Sequence, residues 1–157
     1  MLIREARPED RDGIYRVHVS AVRATCASHY TAYEIESWVG NKRNESYTPP
    51  FSTCDIFVAT DGEAVIGFSQ LNPSMYEIEA VYVDPAYGRR GVGKRLLARA
   101  EEAARARGLR ELRLAASLNA VPFYKDSGYT AHAQAKYRLS SGVSIACVPM
   151  TKVLLRV

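Results

Sequence analysis

Hydrophobic residues recur along the chain with two periods, one typical of strands and one typical of helices. The period-two segments predict strands over 2–6, 54–60, 64–71, 75–84, 109–116, 129–139 and 143–155. The segments with three- and four-residue spacing predict helices over 8–25, 31–40, 91–107 and 119–127. The order β-α-α-β-β-β-α-β-α-β-β favours an α/β fold, with one mixed sheet and helices on its faces, in a single domain over residues 1–157.

Local signals support these boundaries. Asp61-Gly62, between two strand segments, is a hairpin signal. Thr31 and Glu34 have the spacing of a capping box at the start of the second helix. The strand 75–84 and the helix 91–108 begin a right-handed crossover. The glycine-rich loop between them then lies at the carboxyl end of a strand, where open α/β sheets bind ligands.

Composition and charge exclude several classes of protein. With 47% hydrophobic and 24% charged residues, no run of 18 apolar residues and a charged N-terminus, a cytoplasmic protein with no membrane partner is expected. The net charge of +4 alone would allow nucleic-acid binding. Many of the arginines, however, lie between 89 and 113 and are interleaved with acids, so a solvated helix face beside a phosphate site is favoured over nucleic acid. The three cysteines and three histidines are isolated, which indicates free thiols and no metal site.

The stretch GRRGVGKRLL, residues 88–97, satisfies the nucleotide-triphosphate pattern G-x-x-x-x-G-K-[ST] except at its last position. That position holds Arg95, which cannot ligate Mg²⁺, and no apolar strand ending in Asp follows at a suitable distance. The dinucleotide fingerprint G-x-G-x-x-G fails as well, because Leu96 stands where the third glycine is required. Neither an ATP site nor a dinucleotide site is favoured.

A plain turn would explain one glycine of this stretch, but not three glycines together with the basic residues between them. Glycines allow close backbone approach, and the N–H groups at a helix N-terminus point toward an anion. The stretch therefore predicts a pyrophosphate cradle that works without a metal, which suggests coenzyme A. The cradle residues are Gly88, Arg89, Arg90, Gly91, Val92, Gly93 and Lys94.

Two segments resemble those of the GNAT superfamily of acyl-CoA-dependent N-acetyltransferases. VYVDPAYGRRGVGKRLL, residues 81–97, is similar to the family's strand, loop and pyrophosphate-binding helix, and NAVPFYKDSGY, residues 119–129, is similar to its second segment. The resemblance implies a mostly antiparallel sheet, acetyl-CoA as co-substrate and no metal. It also implies that strand backbone pairs with the pantetheine arm and that an asparagine binds the cofactor or fixes the gap between strands. These roles fall on Val81, Tyr82, Val83 and Asn119.

One position departs from the family pattern, which usually has a long polar side chain where this chain has Gly88. Because backbone amides do most of the holding, we expect cofactor binding to survive in a weakened form. The segment CASHYTAYEIESW, residues 26–38, resembles a bacterial GNAT subgroup whose substrates are largely undetermined.

Transfer to an amine needs a base, because an aliphatic amine with a pKa of about 10 is protonated near neutral pH. Glu77 and Glu79 are the candidates, and Glu77 matches the position of a catalytic glutamate in some family members. Period-two geometry places both on the strand face that carries Val81 and Val83. The alternative interpretation is a half-exposed strand face without a catalytic role.

Tyr124 aligns with the family's tyrosine beside the thioester sulfur, which implies that it is the general acid. The alternative is a core aromatic residue packed beside Phe123. A covalent acetyl-cysteine route is not favoured, because no cysteine lies in either of the two family segments.

The acceptor pocket is expected between the first two helices, the 41–53 loop and the final hairpin. Aromatic candidates there, which ordinary core packing would also explain, are His29, Tyr30, Tyr33 and Trp38. Composition leaves the acceptor open between a small-molecule amine and a peptide or protein lysine. The leading interpretation is an N-acetyltransferase that works by direct transfer in a ternary complex, and the alternative is a non-catalytic acetyl-CoA-binding sensor. The last predicted strand, 143–155, could also form a homodimer.

Overall fold

The computed structural model describes residues 1–40, 42–43 and 53–154. Its strands are β1 (Leu2–Glu5), β2 (Asp55–Asp61), β3 (Ala64–Asn72), β4 (Glu77–Val83), β5 (Glu111–Ala116), β6 (Thr130–Ala131), β7 (Ala135–Arg138) and β8 (Ser144–Val153). Its α-helices are α1 (Arg11–Thr25), α2 (Ala32–Val39), α3 (Val92–Ala106) and α4 (Val121–Asp126). Most of the 41–53 loop and the end of the last predicted strand lie outside the described residues.

Within the described chain, the strands form one sheet in the order β1-β2-β3-β4-β5-β8-β6, with β7 paired to β8. Strands β4 and β5 are parallel, and the other neighbouring pairs are antiparallel. Helix α3 connects the parallel pair. The mixed, mostly antiparallel sheet is therefore confirmed, and the element order differs from the prediction only where one strand is divided in two.

Adjacent residues of β2 pack against different helices, because successive side chains of a strand point to opposite faces. Val58 packs with Ile14 of α1, whereas Phe57 packs with Leu96 of α3. Helix α2 joins the α1 side of the sheet, and α4 joins the α3 side. The sheet is the middle layer between two pairs of helices. No helix in residues 1–40, 42–43 and 53–154 has both the length and the apolar character to cross a membrane.

Two local signals in the sequence produce the structure they predict. The Thr31 hydroxyl accepts a 3.1 Å hydrogen bond from the Glu34 N–H, and the Glu34 carboxylate accepts one of 2.9 Å from the Thr31 N–H. This is the reciprocal capping box at the start of α2. Gly62, in the turn that joins β2 to β3, has a φ of +60°, a conformation that favours glycine.

The strand predicted over 129–139 is divided in the structure. Thr130 and Ala131 pair with the β8 residues Thr151 and Met150, whereas the ladder from Ala135 pairs with Cys147 in a register shifted by one residue. The gap lies opposite Pro149, which has no N–H to donate to a ladder. The single long strand is therefore wrong, and the proline in its partner is the physical reason.

Candidate active site

Strands β4 and β5 separate toward their carboxyl ends. In the described residues their ladder has one register pair, Glu77 with Arg113, next to a 2.8 Å hydrogen bond from the Arg113 N–H to the Tyr76 carbonyl. Farther along β4, the Asp84 N–H donates to the Ile66 carbonyl on the β3 side at 2.8 Å. Because hydrogen bonding alternates along an antiparallel ladder, the two odd-numbered residues nearest Asp84 direct their backbone groups away from β3. Val81 and Val83 therefore present N–H and C=O groups to the gap.

A loop at the open end of this gap has the form of an anion-binding nest. Arg89 and Gly91 both have left-handed backbone conformations, with φ of 62° and 76°, and they flank Arg90. The first N–H bonded in the α3 region is that of Arg95, which donates to the Gly91 carbonyl at 3.1 Å. The preceding N–H groups of the first turn have no intrahelical acceptor and point out of the helix end. An atom added as Cβ on Gly91 would meet no atom of the described residues within 4 Å, which leaves space over the loop for a ligand.

The other two glycines of this loop have different roles. A Cβ on Gly93 would lie 3.3 Å from the Phe123 ring and 3.5 Å from Val83, so this glycine lets α3 approach both neighbours closely. Gly88 has φ −63° and ψ 154°, a conformation that any residue adopts, and its Cβ would meet only the Pro85 carbonyl at 3.4 Å. The departure from the family pattern at this position is therefore not imposed by the backbone.

Asn119 follows the carboxyl end of β5, one of the two strands that border the gap. Its Oδ1 atom is buried and has no hydrogen-bond partner in the described part of the chain. It lies near Cys26, whose pKa is raised by burial and partly lowered by Asn119. A buried acceptor without a partner is uncommon in proteins, and it fits a ligand that brings an N–H donor into the gap.

Tyr124 of α4 is 7% exposed and packs edge-on against the rings of Phe123 and Tyr129, with centroids 5.0 Å and 5.7 Å away. Among the described residues, no side-chain hydrogen bond involves its hydroxyl group. Burial raises the pKa of Tyr124 far above its ordinary value. The phenol is therefore protonated across the physiological range, as a proton donor must be.

On the α1 side of the sheet, a cavity of about 420 Å³ lies between the first two helices, strands β2 to β4 and the final hairpin. This volume falls in the usual range for small-molecule sites. Among the residues that the structure describes, two carboxylates, several aromatic rings and one lysine line the cavity. Among its lining residues are His18, Tyr30, Trp38, Lys42, Cys54, Phe68, Gln70, Glu77, Glu79, Tyr82 and Tyr137.

A β-bulge turns both glutamates into this cavity. Gln70 pairs with Ala80 and Leu71 pairs with Ile78, which leaves Glu79 as an extra residue in β4. Glu77 and Glu79 therefore line the cavity, whereas Val81 and Val83 pack against α3 on the other side of the sheet. The prediction that all four side chains share a face was wrong, because the extra residue reverses the alternation.

The two carboxylates have unequal surroundings. The pKa of Glu77 is raised by burial first and by the charge of Glu79 second, against the opposing charge of Arg113. The Oε1 atom of Glu79 accepts hydrogen bonds from Gln70 Nε2 at 3.0 Å and from Cys54 Sγ at 3.2 Å. Burial and the nearby Glu79 raise the pKa of Cys54 to about 11, so this thiol stays protonated and donates. Glu79 is thus held in place, and Glu77 binds a proton more tightly than a free glutamate does.

Comparison with known proteins agrees with this geometry. A family model described as "Acetyltransferase (GNAT) domain" matches residues 26–154. The chain belongs to the GNAT acetyltransferases. It is 27% identical over 127 residues to the uncharacterized N-acetyltransferase YafP of Escherichia coli K12, covering 81% of this chain and 79% of YafP.

Solved GNAT structures share the fold over nearly the whole chain. A GCN5-related N-acetyltransferase from Rhodopseudomonas palustris is 29% identical, with a TM-score of 0.89 over 98% of this chain and 95% of that one. The PaiA N-acetyltransferase from Thermoplasma acidophilum, solved in complex with coenzyme A, is 25% identical, with a TM-score of 0.78 over 97% of this chain and 98% of that one.

The four aromatic residues predicted for the acceptor pocket of this GNAT protein divide into two pairs. Tyr30 and Trp38 line the cavity, with ring centroids 5.6 Å apart in a T-shaped contact. The Tyr30 hydroxyl donates to the Ala146 carbonyl at 2.6 Å and accepts from the Leu118 N–H at 2.9 Å. His29 and Tyr33 are exposed and do not line it, because they lie on the solvent side of the turn and of the first turn of α2.

Tyr82, predicted to bind the cofactor with its two valine neighbours, lies elsewhere in this GNAT fold. Its backbone pairs with Phe68 of β3, and its ring lines the acceptor-side cavity 4.5 Å from the His18 ring. Strand alternation explains the difference. Compared with its two valine neighbours, Tyr82 directs its backbone groups to the opposite neighbouring strand and its side chain to the opposite face of the sheet.

Sequence reasoning missed several cavity residues, including His18, Lys42, Cys54, Gln70 and Tyr137. Two of them left a signal in the pattern. His18 lies four residues after Ile14 on the buried stripe of α1, and Gln70 is a long polar residue in a mostly apolar strand. The pKa of His18 falls to about 3 because of burial and the charge of Lys42, so the imidazole is neutral at physiological pH.

Proposed function

We propose that this GNAT protein is an N-acetyltransferase that moves an acetyl group from acetyl-CoA to a primary amine by direct transfer in a ternary complex. The observation that carries the proposal is the position of the strand gap. It has an anion-binding loop at its open end and, on one side of the sheet, a cavity whose wall holds Glu77 with a raised pKa.

The cofactor segment has the groups that coenzyme A requires. The loop with the left-handed Arg89 and Gly91, followed by the N-terminus of α3, suits a pyrophosphate without a metal ion. The outward N–H and C=O groups of Val81 and Val83 suit an extended amide-bearing arm, as an added strand would. The unpartnered Oδ1 of Asn119 suits an amide N–H. When bound, acetyl-CoA supplies a thioester as the acetyl donor.

The two glutamates have different roles toward the acceptor amine. Glu79, held by Gln70 and Cys54, provides a fixed negative charge that attracts the ammonium form of the acceptor. Glu77 accepts the proton that the amine must lose before it can attack, and its raised pKa brings it closer to the pH at which a base works best.

Tyr124 completes the transfer. The amine nitrogen forms a bond to the thioester carbonyl carbon, and the carbon–sulfur bond breaks. Tyr124 donates its phenolic proton to the departing sulfur. Burial raises its pKa, so the phenol keeps this proton until negative charge develops on the sulfur. Glu77 then releases its proton to solvent, and the Tyr124 phenolate takes up a proton from solvent.

The test is a measurement of both products. Purified protein is mixed with acetyl-CoA and a panel of primary amines without added metal, and free thiol and N-acetylated amine are quantified together. Equal amounts of both products from one class of amine support the proposal. Binding of acetyl-CoA without product from any amine or lysine peptide would contradict it and favour an acetyl-CoA sensor.

A further inference from the structure

The acceptor-side cavity carries opposite charges in different places. Glu77 and Glu79 lie in its wall where β4 begins. Tyr137 lines the same cavity, where burial and both carboxylates raise its pKa. Lys42 is the cationic residue among the described residues that line the cavity. A ligand that fills the cavity therefore meets negative charge at one position and positive charge at another.

Lys42 acts at the end of the cavity away from the glutamates. Its backbone is tied to Val39 at the end of α2, and Val39 belongs to the hydrophobic cluster against which Tyr82, near the end of β4, packs. Its charge also lowers the pKa of His18, whose ring packs on Tyr82. By contrast, the charges that act on Glu77 are those of Glu79 and Arg113. Three residues of strand separate Glu79 from Tyr82, which is roughly 10 Å. The end of β4 that lies toward Lys42 is therefore about the length of a para-substituted ring away from the glutamates.

The described structure leaves Lys42 available to a ligand. Its backbone N–H donates to the Val39 carbonyl at 3.1 Å, which places the residue just after α2 and holds its backbone there. In the described part of the chain, no ion pair joins its ammonium group to a carboxylate. A cation at the rim of a partly apolar cavity favours a ligand with a negative group at that place and disfavours a second positive one.

The space between the charges is apolar and lined by rings. Trp38 comes from α2, Phe68 from β3 and Tyr82 from β4, with Ile14 and Ile56 beside them. Phe68 and Tyr82 have centroids 5.8 Å apart, so they form a continuous surface. Such a surface stabilises a flat or bulky apolar body and gives little to a flexible polyhydroxylated one.

On the basis of the proposed transfer reaction, we propose that the acceptor is an elongated amino acid, with its amino group and its acidic group at opposite ends. It carries a primary ammonium group for the Glu77–Glu79 wall, an apolar ring-sized body for the Trp38–Phe68–Tyr82 surface, and an anionic group at its far end for Lys42. Polyamines and aminoglycosides are poor acceptors on this account, because each would bring a second cation to Lys42.

Three probes with the same benzylamine core test the charge pattern. They are 4-(aminomethyl)benzoate with an anionic far end, 4-methylbenzylamine with a neutral one and 1,4-bis(aminomethyl)benzene with a cationic one. Binding to the CoA-loaded protein is measured by calorimetry, and the fluorescence of Trp38, the chain's single tryptophan, reports whether the probe occupies this cavity. Turnover of each probe with acetyl-CoA is measured separately.

We expect the benzoate to bind about tenfold more tightly than the neutral probe, and the diamine to bind most weakly. Lys42→Met should abolish the advantage of the benzoate while leaving the affinity for 4-methylbenzylamine within about twofold. Lys136→Met is the control, because Lys136 is an exposed lysine outside the cavity lining, and it should leave the order unchanged.

The outcomes separate this inference from the proposed function. The inference is overturned if the three probes bind with equal affinity or in the reverse order, or if Lys42→Met keeps the wild-type order. In that case, turnover of any probe would still leave the acetyltransferase proposal standing. The expected order without any turnover would support the assignment of the cavity and count against the transfer reaction. Failure of all three probes to bind would reject the proposed class of acceptor.

Discussion

Gln70 holds Glu79 in place, with its Nε2 atom donating a 3.0 Å hydrogen bond to Oε1 of the glutamate. The carboxylate held in this way raises the pKa of Glu77, second only to burial. The proposed base therefore owes part of its basicity to a neighbour that β3 positions. This relationship can be tested with the pH dependence of the reaction.

Glu79→Gln should lower the pKa of Glu77, because removing a nearby negative charge makes the ionised carboxylate easier to form. A base works only when deprotonated, so activity rises as the pH passes upward through the Glu77 pKa. The acidic limb of the kcat/KM profile should therefore move to lower pH in the variant. The measurement is kcat/KM for one amine over a pH series in both proteins.

Arg113→Met provides a control of opposite sign. Arg113 lowers the pKa of Glu77, so its loss should move the same limb to higher pH. If the acidic limb of the kcat/KM profile lies at the same pH in the wild type and in both variants, the titrating base is not Glu77.

Tyr124→Phe should reduce kcat roughly tenfold or more, because the departing thiolate loses its proton donor. The ring contacts with Phe123 and Tyr129 remain, so the free energy of unfolding should change by less than about 1 kcal/mol. Steady-state kinetics and chemical denaturation measure the two effects.

Tyr129→Phe is the matched control for Tyr124→Phe. The Tyr129 hydroxyl donates a 2.7 Å hydrogen bond to the buried Glu101, so its loss should lower the free energy of unfolding by about 1–3 kcal/mol with little change in kcat. If both variants lost kcat equally, or if Tyr124→Phe kept full kcat, the general-acid role would be wrong.

Gly88→Gln should strengthen coenzyme A binding about fivefold, equivalent to one added hydrogen bond of about 1 kcal/mol. The backbone at Gly88 suits any residue, and in the described parts of the chain the one atom within 4 Å of its Cβ position is the Pro85 carbonyl oxygen, at 3.4 Å. Calorimetric titration with coenzyme A in the absence of magnesium measures the change.

Gly91→Gln is the control for Gly88→Gln. Gly91 has a φ of 76°, a backbone conformation in which a residue with a side chain is strained. This variant should bind coenzyme A more weakly than the wild type. Weaker binding by Gly88→Gln as well would indicate that the loop does not hold the pyrophosphate in the proposed way.

Lys152→Met should lower the free energy of unfolding by about 3 kcal/mol, because it leaves the Glu101 carboxylate buried without its cation. The Lys152 ammonium lies 3.0 Å from Glu101 Oε2 and donates to the Ser127 carbonyl at 2.8 Å. Arg23→Met removes an exposed ion pair with Glu36 and should cost no more than about 1 kcal/mol. Equal costs in denaturant unfolding would contradict the structural role of the Lys152 pair.

Features coded within a few residues could be predicted from the sequence. The Thr31–Glu34 capping box, the Asp61-Gly62 turn and the helix after the glycine loop each depend on neighbouring residues, and each has the expected form. The family resemblance of the two cofactor segments allowed the topology of the whole sheet to be predicted as well, because element order and connection length restrict the possible topologies.

Features that depend on pairing between distant strands could not be predicted. The bulge at Glu79 arises from the register between β3 and β4, and only that register shows that Glu77 faces away from Val81. Likewise, Lys42 and Cys54 reach the cavity only through folding, since nothing in the local pattern distinguishes them from surface residues.

The central claim is direct transfer from acetyl-CoA to an amine, and initial rates test it most directly. Rates are measured while acetyl-CoA and the best amine are both varied, and the protein is also incubated with acetyl-CoA alone for mass spectrometry. Intersecting reciprocal plots with unmodified protein are the predicted result, because both substrates must be bound before the acetyl group moves. Parallel plots with an acetylated protein would contradict the account, since they would show a covalent intermediate.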